Sequence, residues 1–102
     1  MELNAMQPVK KLEIILEAPE EKSVTSILDG IGVSGYTILR NVAGKGGRGM
    51  QRGDELTDVF SNVLIMTACT QAEAERAAEL LRPLLRRVGG LCLLSDAAMV
   101  KH

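Results

Sequence analysis

Apolar residues recur along this chain with two different periods, and the switches between those periods predict six elements. Leu12, Ile14 and Leu16 fall on alternate positions between Val9 and Ala18, with Lys11, Glu13 and Glu17 on the other face. That is the signature of a half-buried strand. Pro19 closes the strand and suits the first turn of a helix. Val24, Ile27, Leu28 and Ile31 then follow the i, i+3, i+4, i+7 spacing of an amphipathic helix, with Gly30 and Gly32 marking its end. A second strand is predicted from Gly35 to about Ala43 and a third from Phe60 to Cys69. Thr70 with Glu73 spells a capping box, and Ala74, Ala77, Ala78, Leu81, Leu84, Leu85 and Val88 form the apolar stripe of the helix that it opens. Pro83 removes a backbone donor inside that helix and predicts a kink, and Gly89-Gly90 stops it. Leu91 to Ser95 reads as the fourth strand, followed by a short apolar tail to His102. Residues 1–8 carry no period and are expected to be a flexible N-terminal tail, which leaves 9–102 as a single domain.

The order is βαββαβ. Right-handed crossovers place both helices on one face of a four-stranded antiparallel sheet, so the fold class is α+β, ferredoxin-like. Yet Val63-Leu64-Ile65-Met66 and Leu91-Cys92-Leu93-Leu94 are apolar at consecutive positions. Both faces of these strands therefore read as buried. Helices cover one face only, and copies of the same chain are the simplest cover for the other.

Composition narrows the function more than the fold. With 102 residues the chain is one domain. A formal net charge of −1, with Tyr36 and Phe60 the only aromatic residues, excludes a general nucleic-acid binder, which needs basic charge and stacking surfaces. No apolar run approaches the roughly 20 residues of a membrane span, and no signal peptide is visible. The expected location is cytoplasmic. Cys69 and Cys92 sit inside strand patterns and read as buried thiols rather than a disulfide. The single His is the last residue, neither Cys has a patterned His partner, and no metal-ligand spacing occurs. Glu13 and Glu17 read as solvent-facing rather than as an acid–base pair. No catalytic constellation is present, and an enzyme is not expected.

One segment carries chemistry. Between the second and third strands lies Gly44-Lys45-Gly46-Gly47-Arg48-Gly49-Met50-Gln51-Arg52-Gly53. A connection this long is either functional or disordered. Its glycines allow backbone N–H groups to approach an anion and form a concave nest, and its cations add charge. The string Gly44-x-Gly46-x-x-Gly49 matches a dinucleotide fingerprint, but a strand follows instead of the helix that fingerprint needs. Gly44-Lys45 also lacks the Ser or Thr of a Walker A loop. Two readings stay open on composition: a phosphate or oxyanion site on a movable arm, or a flexible hairpin loop. The basic half (Lys45, Arg48, Arg52) and acidic half (Asp54, Glu55, Asp58) suit a segment that docks on a partner.

At Gly35-Tyr36-Thr37 followed by Gly44-Lys45-Gly46-Gly47-Arg48, the chain resembles the PII signalling superfamily. Within it, the chain is more similar to the PII-like proteins of inorganic-carbon metabolism, the SbtB proteins and the carboxysome-associated PII protein, than to nitrogen-regulatory PII. The resemblance runs from about Val9 to Val100. It implies a ferredoxin-like homotrimer with nucleotide sites in the clefts between subunits. The long arm between strands two and three would be the T-loop, and the turn before strand four the B-loop. The nucleotide-binding residues it implies are Gly35, Tyr36, Thr37, Gly44, Lys45, Gly46 and Arg48 from one subunit, with Gly89 and Gly90 from its neighbour. The B-loop Lys and the C-terminal Arg pair of nitrogen-regulatory PII are missing. Fewer cations around a phosphate tail favour ADP or AMP (cyclic AMP included) over ATP.

The same branch implies bicarbonate as second ligand, a small planar oxyanion suited to Lys45, Gly46, Gly47 and Arg48. Met50, Arg52, Asp54 and Glu55 would face a partner, a membrane bicarbonate transporter being the one the branch implies. The resulting expectation is a sensor of adenine nucleotide and bicarbonate that controls inorganic-carbon uptake through a ligand-switched T-loop. It would have no cofactor beyond these regulatory ligands, and would be cytoplasmic, carboxysome-associated or recruited to a transporter. Two other classes remain. One is a small phosphate-handling enzyme of acylphosphatase type, although Ala18-Pro19-Glu20-Glu21 is acidic where that class cradles phosphate. The other is a structural oligomerisation module.

Overall fold

The structure, a computed structural model, describes residues 5–44 and 61–102. Its elements are β1 (Met6–Glu17), a short 3-10 turn (Ala18–Glu20), α1 (Glu21–Ile31), β2 (Thr37–Val42), β3 (Asn62–Cys69), α2 (Gln71–Val88) and β4 (Leu91–Val100). Pro19 sits in the 3-10 turn, where its missing N–H costs nothing. Gly32 ends α1 in the left-handed region (φ 90°), its N–H donating to the Leu28 carbonyl at 3.0 Å. Gly30, expected to help end this helix, lies within it. At α2 the capping box forms as the sequence predicts. Glu73 N–H donates to Thr70 Oγ1 at 3.1 Å, and Thr70 N–H donates to Glu73 Oε1 at 2.9 Å. The helix runs through Pro83 as one element, with Arg86 and Arg87 in its last turn, where positive charge suits the macrodipole. Ala78, read as part of the buried stripe, is exposed, while Ala74, Ala77, Leu81 and Leu84 are buried.

The four strands form one sheet in the order β2-β3-β1-β4, every neighbouring pair antiparallel. Leu12, Ile14 and Leu16 of β1 and Val63, Ile65 and Cys69 of β3 pack with Val24 and Leu28 of α1 and the buried stripe of α2 into a single core. Both helices therefore lie on one face, the α+β ferredoxin-like arrangement. The sheet is longer at one end than the periodicity indicates. β1 begins at Met6, so Met6, Gln7 and Pro8 are not a free tail but pair with Val100, Met99 and Ala98. β4 correspondingly continues from Ser95 to Val100 instead of ending in a tail. Lys10 pairs with Asp96, and Lys101 N–H donates to the Ala5 carbonyl at 2.8 Å. On the opposite edge of the sheet β2 is shorter than predicted, and Gly35 and Tyr36 precede it.

The opposite face of the sheet has no cover from its own chain among the described residues. Paired residues share a face, so Leu39, Leu64, Ile15 and Leu91 form one row across it, and Thr37, Met66, Glu13 and Leu93 the next. Leu39 is 53% exposed, Leu91 46% and Leu93 49%. Leu64 and Met66 are half-buried by their neighbours in the sheet. The reading that both faces of β3 and β4 are buried holds within one chain only for the helical face of β3; β4 is exposed on both faces, with Leu94, which pairs with the core residue Leu12, 50% exposed.

Candidate functional site

Two of the three predicted site segments fall among the described residues. The first precedes and enters β2. Tyr36 packs against the core, and its hydroxyl donates to Asp29 Oδ2 at 3.4 Å. Desolvation and then the Asp29 carboxylate push the Tyr36 hydroxyl above its usual pKa, which keeps it a neutral donor. Thr67 Oγ1 donates to the Gly35 carbonyl at 2.6 Å. Gly35 itself has no positive φ, and a Cβ built on it would meet nothing within 4 Å. Nothing in the described chain requires a glycine there, so the open side is room for something outside it.

The strand that follows is bent near its end. Leu39 pairs with Leu64 and Val42 with Asn62, so β2 carries one residue more than β3 over this stretch, and Asn41 takes φ 62°. This is a bulge, which re-aims the chain beyond it. Arg40 beside it forms a two-point fork on α1: Nε donates to Glu21 Oε1 at 2.9 Å and Nη2 to Oε2 at 2.7 Å. The Arg40 hydrogen bonds hold the Glu21 carboxyl below its ordinary pKa. Gly44 lies past the bulge, with Asn62 Nδ2 at 3.6 Å from a Cβ built on it. Lys45, Gly46, Gly47, Arg48, Met50, Arg52, Asp54 and Glu55 lie outside the described residues.

The remaining segment joins α2 to β4. Gly89 caps α2 with φ 83°, its N–H donating to the Leu85 carbonyl at 2.8 Å. Gly90 has φ 110°, and a Cβ on it would come within 2.7 Å of the Ile15 carbonyl oxygen, 2.9 Å of Leu16 Cβ and 3.2 Å of Leu85 Cδ2. Here the fold alone demands glycine. These two segments do not meet within one chain. β2 and β4 are the opposite edges of the sheet, three strand spacings or roughly 14 Å apart.

Other chemistry among the described residues is sparse. Cys69 and Cys92 are free thiols. Burial raises both pKa values, with Glu73 adding to the shift at Cys69, so neither is a ready thiolate at neutral pH. Among the described residues no group of three His, Cys, Asp or Glu is placed to hold a metal, and no helix is long and apolar enough to cross a membrane. A groove of about 510 Å³ between the helices, lined by Ile27, Ile31, Leu80 and Arg76, contains none of the predicted site residues.

A ferredoxin-like chain whose glycine-bearing segments sit at opposite sheet edges, with the second sheet face bare, has the form of a subunit built to assemble. The family model described as nitrogen regulatory protein P-II matches residues 9–102, and the chain belongs to that family. It is similar to CPII, a PII-like protein from Thiomonas intermedia K12. One CPII structure, bound to ADP and bicarbonate, is 34% identical, with 94% of this chain and 92% of that chain covered and a TM-score of 0.80. Another, bound to ADP, AMP and bicarbonate, is 30% identical, with 95% and 98% covered and a TM-score of 0.81. A putative PII-like signaling protein from Thermus thermophilus, 21% identical over 93% and 91% with a TM-score of 0.73, shares the fold. Comparison with curated proteins gives no match.

Sequence reasoning did not single out Thr67, Asp29, Glu21 or Arg40. Thr67 left a trace: it is the one hydroxyl in the inward series Val63, Ile65, Thr67, Cys69. The Glu21–Arg40 fork left none, because its partners come from a helix and a strand whose docking no local pattern encodes.

Proposed function

We propose that this chain is a homotrimeric PII-like regulator that binds ADP or AMP together with bicarbonate and is not an enzyme. The observation that carries the reading is the similarity, over nearly the whole chain, to CPII bound to ADP and bicarbonate. The bare sheet face with Leu39, Leu91 and Leu93 supports assembly. The opposite-edge placement of the two described segments supports a site shared between copies. In this reading Gly35, Tyr36 and Thr37 meet the base and ribose, while Gly44, Lys45, Gly46 and Arg48 meet the phosphates with Gly89 and Gly90 of the next copy. Lys45, Gly46, Gly47 and Arg48 take bicarbonate beside the nucleotide. Met50, Arg52, Asp54 and Glu55 present the ligand state to a partner. The regulated process is inorganic-carbon uptake through a membrane bicarbonate transporter, from a cytoplasmic or carboxysome-associated pool.

Sedimentation and calorimetry test this together. One species near three times the 11.0 kDa chain mass is expected. ADP and AMP should bind at least as tightly as ATP, without hydrolysis. Bicarbonate and ADP should each change the other's affinity by the same factor, and Arg48→Ala should abolish that coupling. A stable monomer, or no ADP binding, overturns the reading. Equal ADP affinity with and without bicarbonate removes the second ligand from it.

A further inference from the structure

We propose that Lys11 and Glu13 form ion pairs between copies of this chain, and that these pairs fix how the bare sheet faces meet. The inference rests on the assembly in the reading above and not on its nucleotide site. Three successive rows of the bare face cross β1. They are Leu39, Leu64, Ile15 and Leu91, then Thr37, Met66, Glu13 and Leu93, then Ala68, Lys11 and Ser95. Within these rows Lys11 and Glu13 are the charged residues, and both lie on β1, an interior strand of the sheet. Leu39, Leu91 and Leu93 stand about half exposed around them. Any surface that covers those leucines therefore takes the ammonium and the carboxylate out of water as well.

Desolvated charges are tolerated only with close geometry and hydrogen bonds. Within one chain the geometry is poor. Lys11 Nζ lies 3.9 Å from Glu13 Oε2, beyond hydrogen-bond reach, and the two side chains stay 39% and 30% exposed. Such a pair contributes little while water surrounds it. Under cover, each charge needs a nearer partner. A second copy supplies one, because a face with one charge of each sign on neighbouring rows is complementary to itself. Lys11 of one copy meets Glu13 of the next, and in a ring of three this head-to-tail contact closes. A foreign apolar partner without matching charges would leave both groups buried and unpaired, so the island also selects against it. It sets register too: leucine on leucine tolerates sliding, whereas a shift by one row separates the ions.

The test uses two charge-reversed variants, Glu13→Lys and Lys11→Glu, carrying tags of different mass. Assembly is read by sedimentation and native mass spectrometry, and folding by circular dichroism. Each variant alone sets like charges at every junction. Each should raise the concentration at which the trimer dissociates by at least about tenfold, because breaking a covered pair strands a charge. Co-expressed, the two should form trimers that contain both, since two of the three junctions then join opposite charges. Co-expression also gives a result where either variant folds poorly alone. The double reversal Lys11→Glu with Glu13→Lys in one chain should recover the wild-type dissociation concentration. Single variants that assemble like wild type overturn the inference. So does an absence of mixed trimers on co-expression, since a pair confined to one chain cannot be repaired by another chain. A double reversal that stays dissociated overturns it as well. Wild type that sediments as a monomer overturns the assembly reading itself, whereas a wild-type trimer indifferent to both variants overturns this inference alone.

Discussion

Replacing Gly90 by Ala should destabilise the fold, whereas replacing Gly35 by Ala should leave it nearly untouched. The two glycines differ in what surrounds them. At Gly90 a Cβ would press on the Ile15 carbonyl oxygen at 2.7 Å, and the backbone holds φ at 110°. Holding an L-residue in that region costs of order 1–3 kcal/mol. Crowding against a packed core costs about 1–3 kcal/mol more, and here the nearest atom is backbone that cannot rotate away. The sum, roughly 2–6 kcal/mol, is a large share of the 5–15 kcal/mol that holds a typical domain. At 4–8 °C per kcal/mol for a domain of about this size, the midpoint should fall by about 8 °C or more. At Gly35 there is no strain and no neighbour within 4 Å, so any loss there should appear in ADP affinity rather than in melting. The assay is thermal unfolding of wild type and both variants at one protein concentration without nucleotide, because ligand and assembly shift apparent stability. If Gly90→Ala melts within about 2 °C of wild type, less than one kcal/mol would suffice, and the steric argument fails.

Leu93→Glu places a charge on the bare sheet face, far from the core. The isolated chain should keep its helical circular dichroism, while sedimentation shows dissociation; an unchanged trimer would show that this face is not the one covered. The Glu21–Arg40 fork predicts a pH effect of defined sign. Because the folded-state pKa of Glu21 is depressed, the fork's contribution is present above the usual glutamate value of about 4.3 and disappears as pH falls through the depressed value. The stability gap between wild type and Glu21→Gln should therefore close on acidification. In carbon-detected NMR the Glu21 carboxyl should titrate below the usual glutamate value of about 4.3, and a midpoint at or above that value would refute the assignment.

Where a single physical cause dominated, the sequence was enough to read the element. β1 alternated cleanly because its two faces meet different surroundings, and Thr70 with Glu73 announced α2 because a capping box is local. The errors occur where two causes compete. Ser95-Asp96-Ala97-Ala98 has no apolar alternation, since β4 is an edge strand exposed along nearly its whole length, and its pairing with Met6–Pro8 comes from backbone hydrogen bonds that side-chain periodicity does not report. Gly30 was indistinguishable by type from Gly32, yet only Gly32 adopts a left-handed φ. The supports around the candidate glycine segments were not legible in the sequence. Thr67, Asp29, Glu21 and Arg40 act through contacts between elements, and their positions follow only once the sheet order is known.

The placement of β2 and β4 at opposite edges has a consequence for inheritance. In the proposed trimer each copy lends its β2 edge to one neighbour and its β4 edge to the other, so every chain is half of two different sites. Consider two inactive alleles, one damaged at Gly35 and one at Gly89, each producing trimers with no complete site. Expressed together, they would form mixed rings in which one junction joins an undamaged β2 edge to an undamaged β4 edge. Two null alleles of the same gene would then complement each other partially, while a single damaged allele beside a normal one would spoil sites in molecules built mostly from good chains.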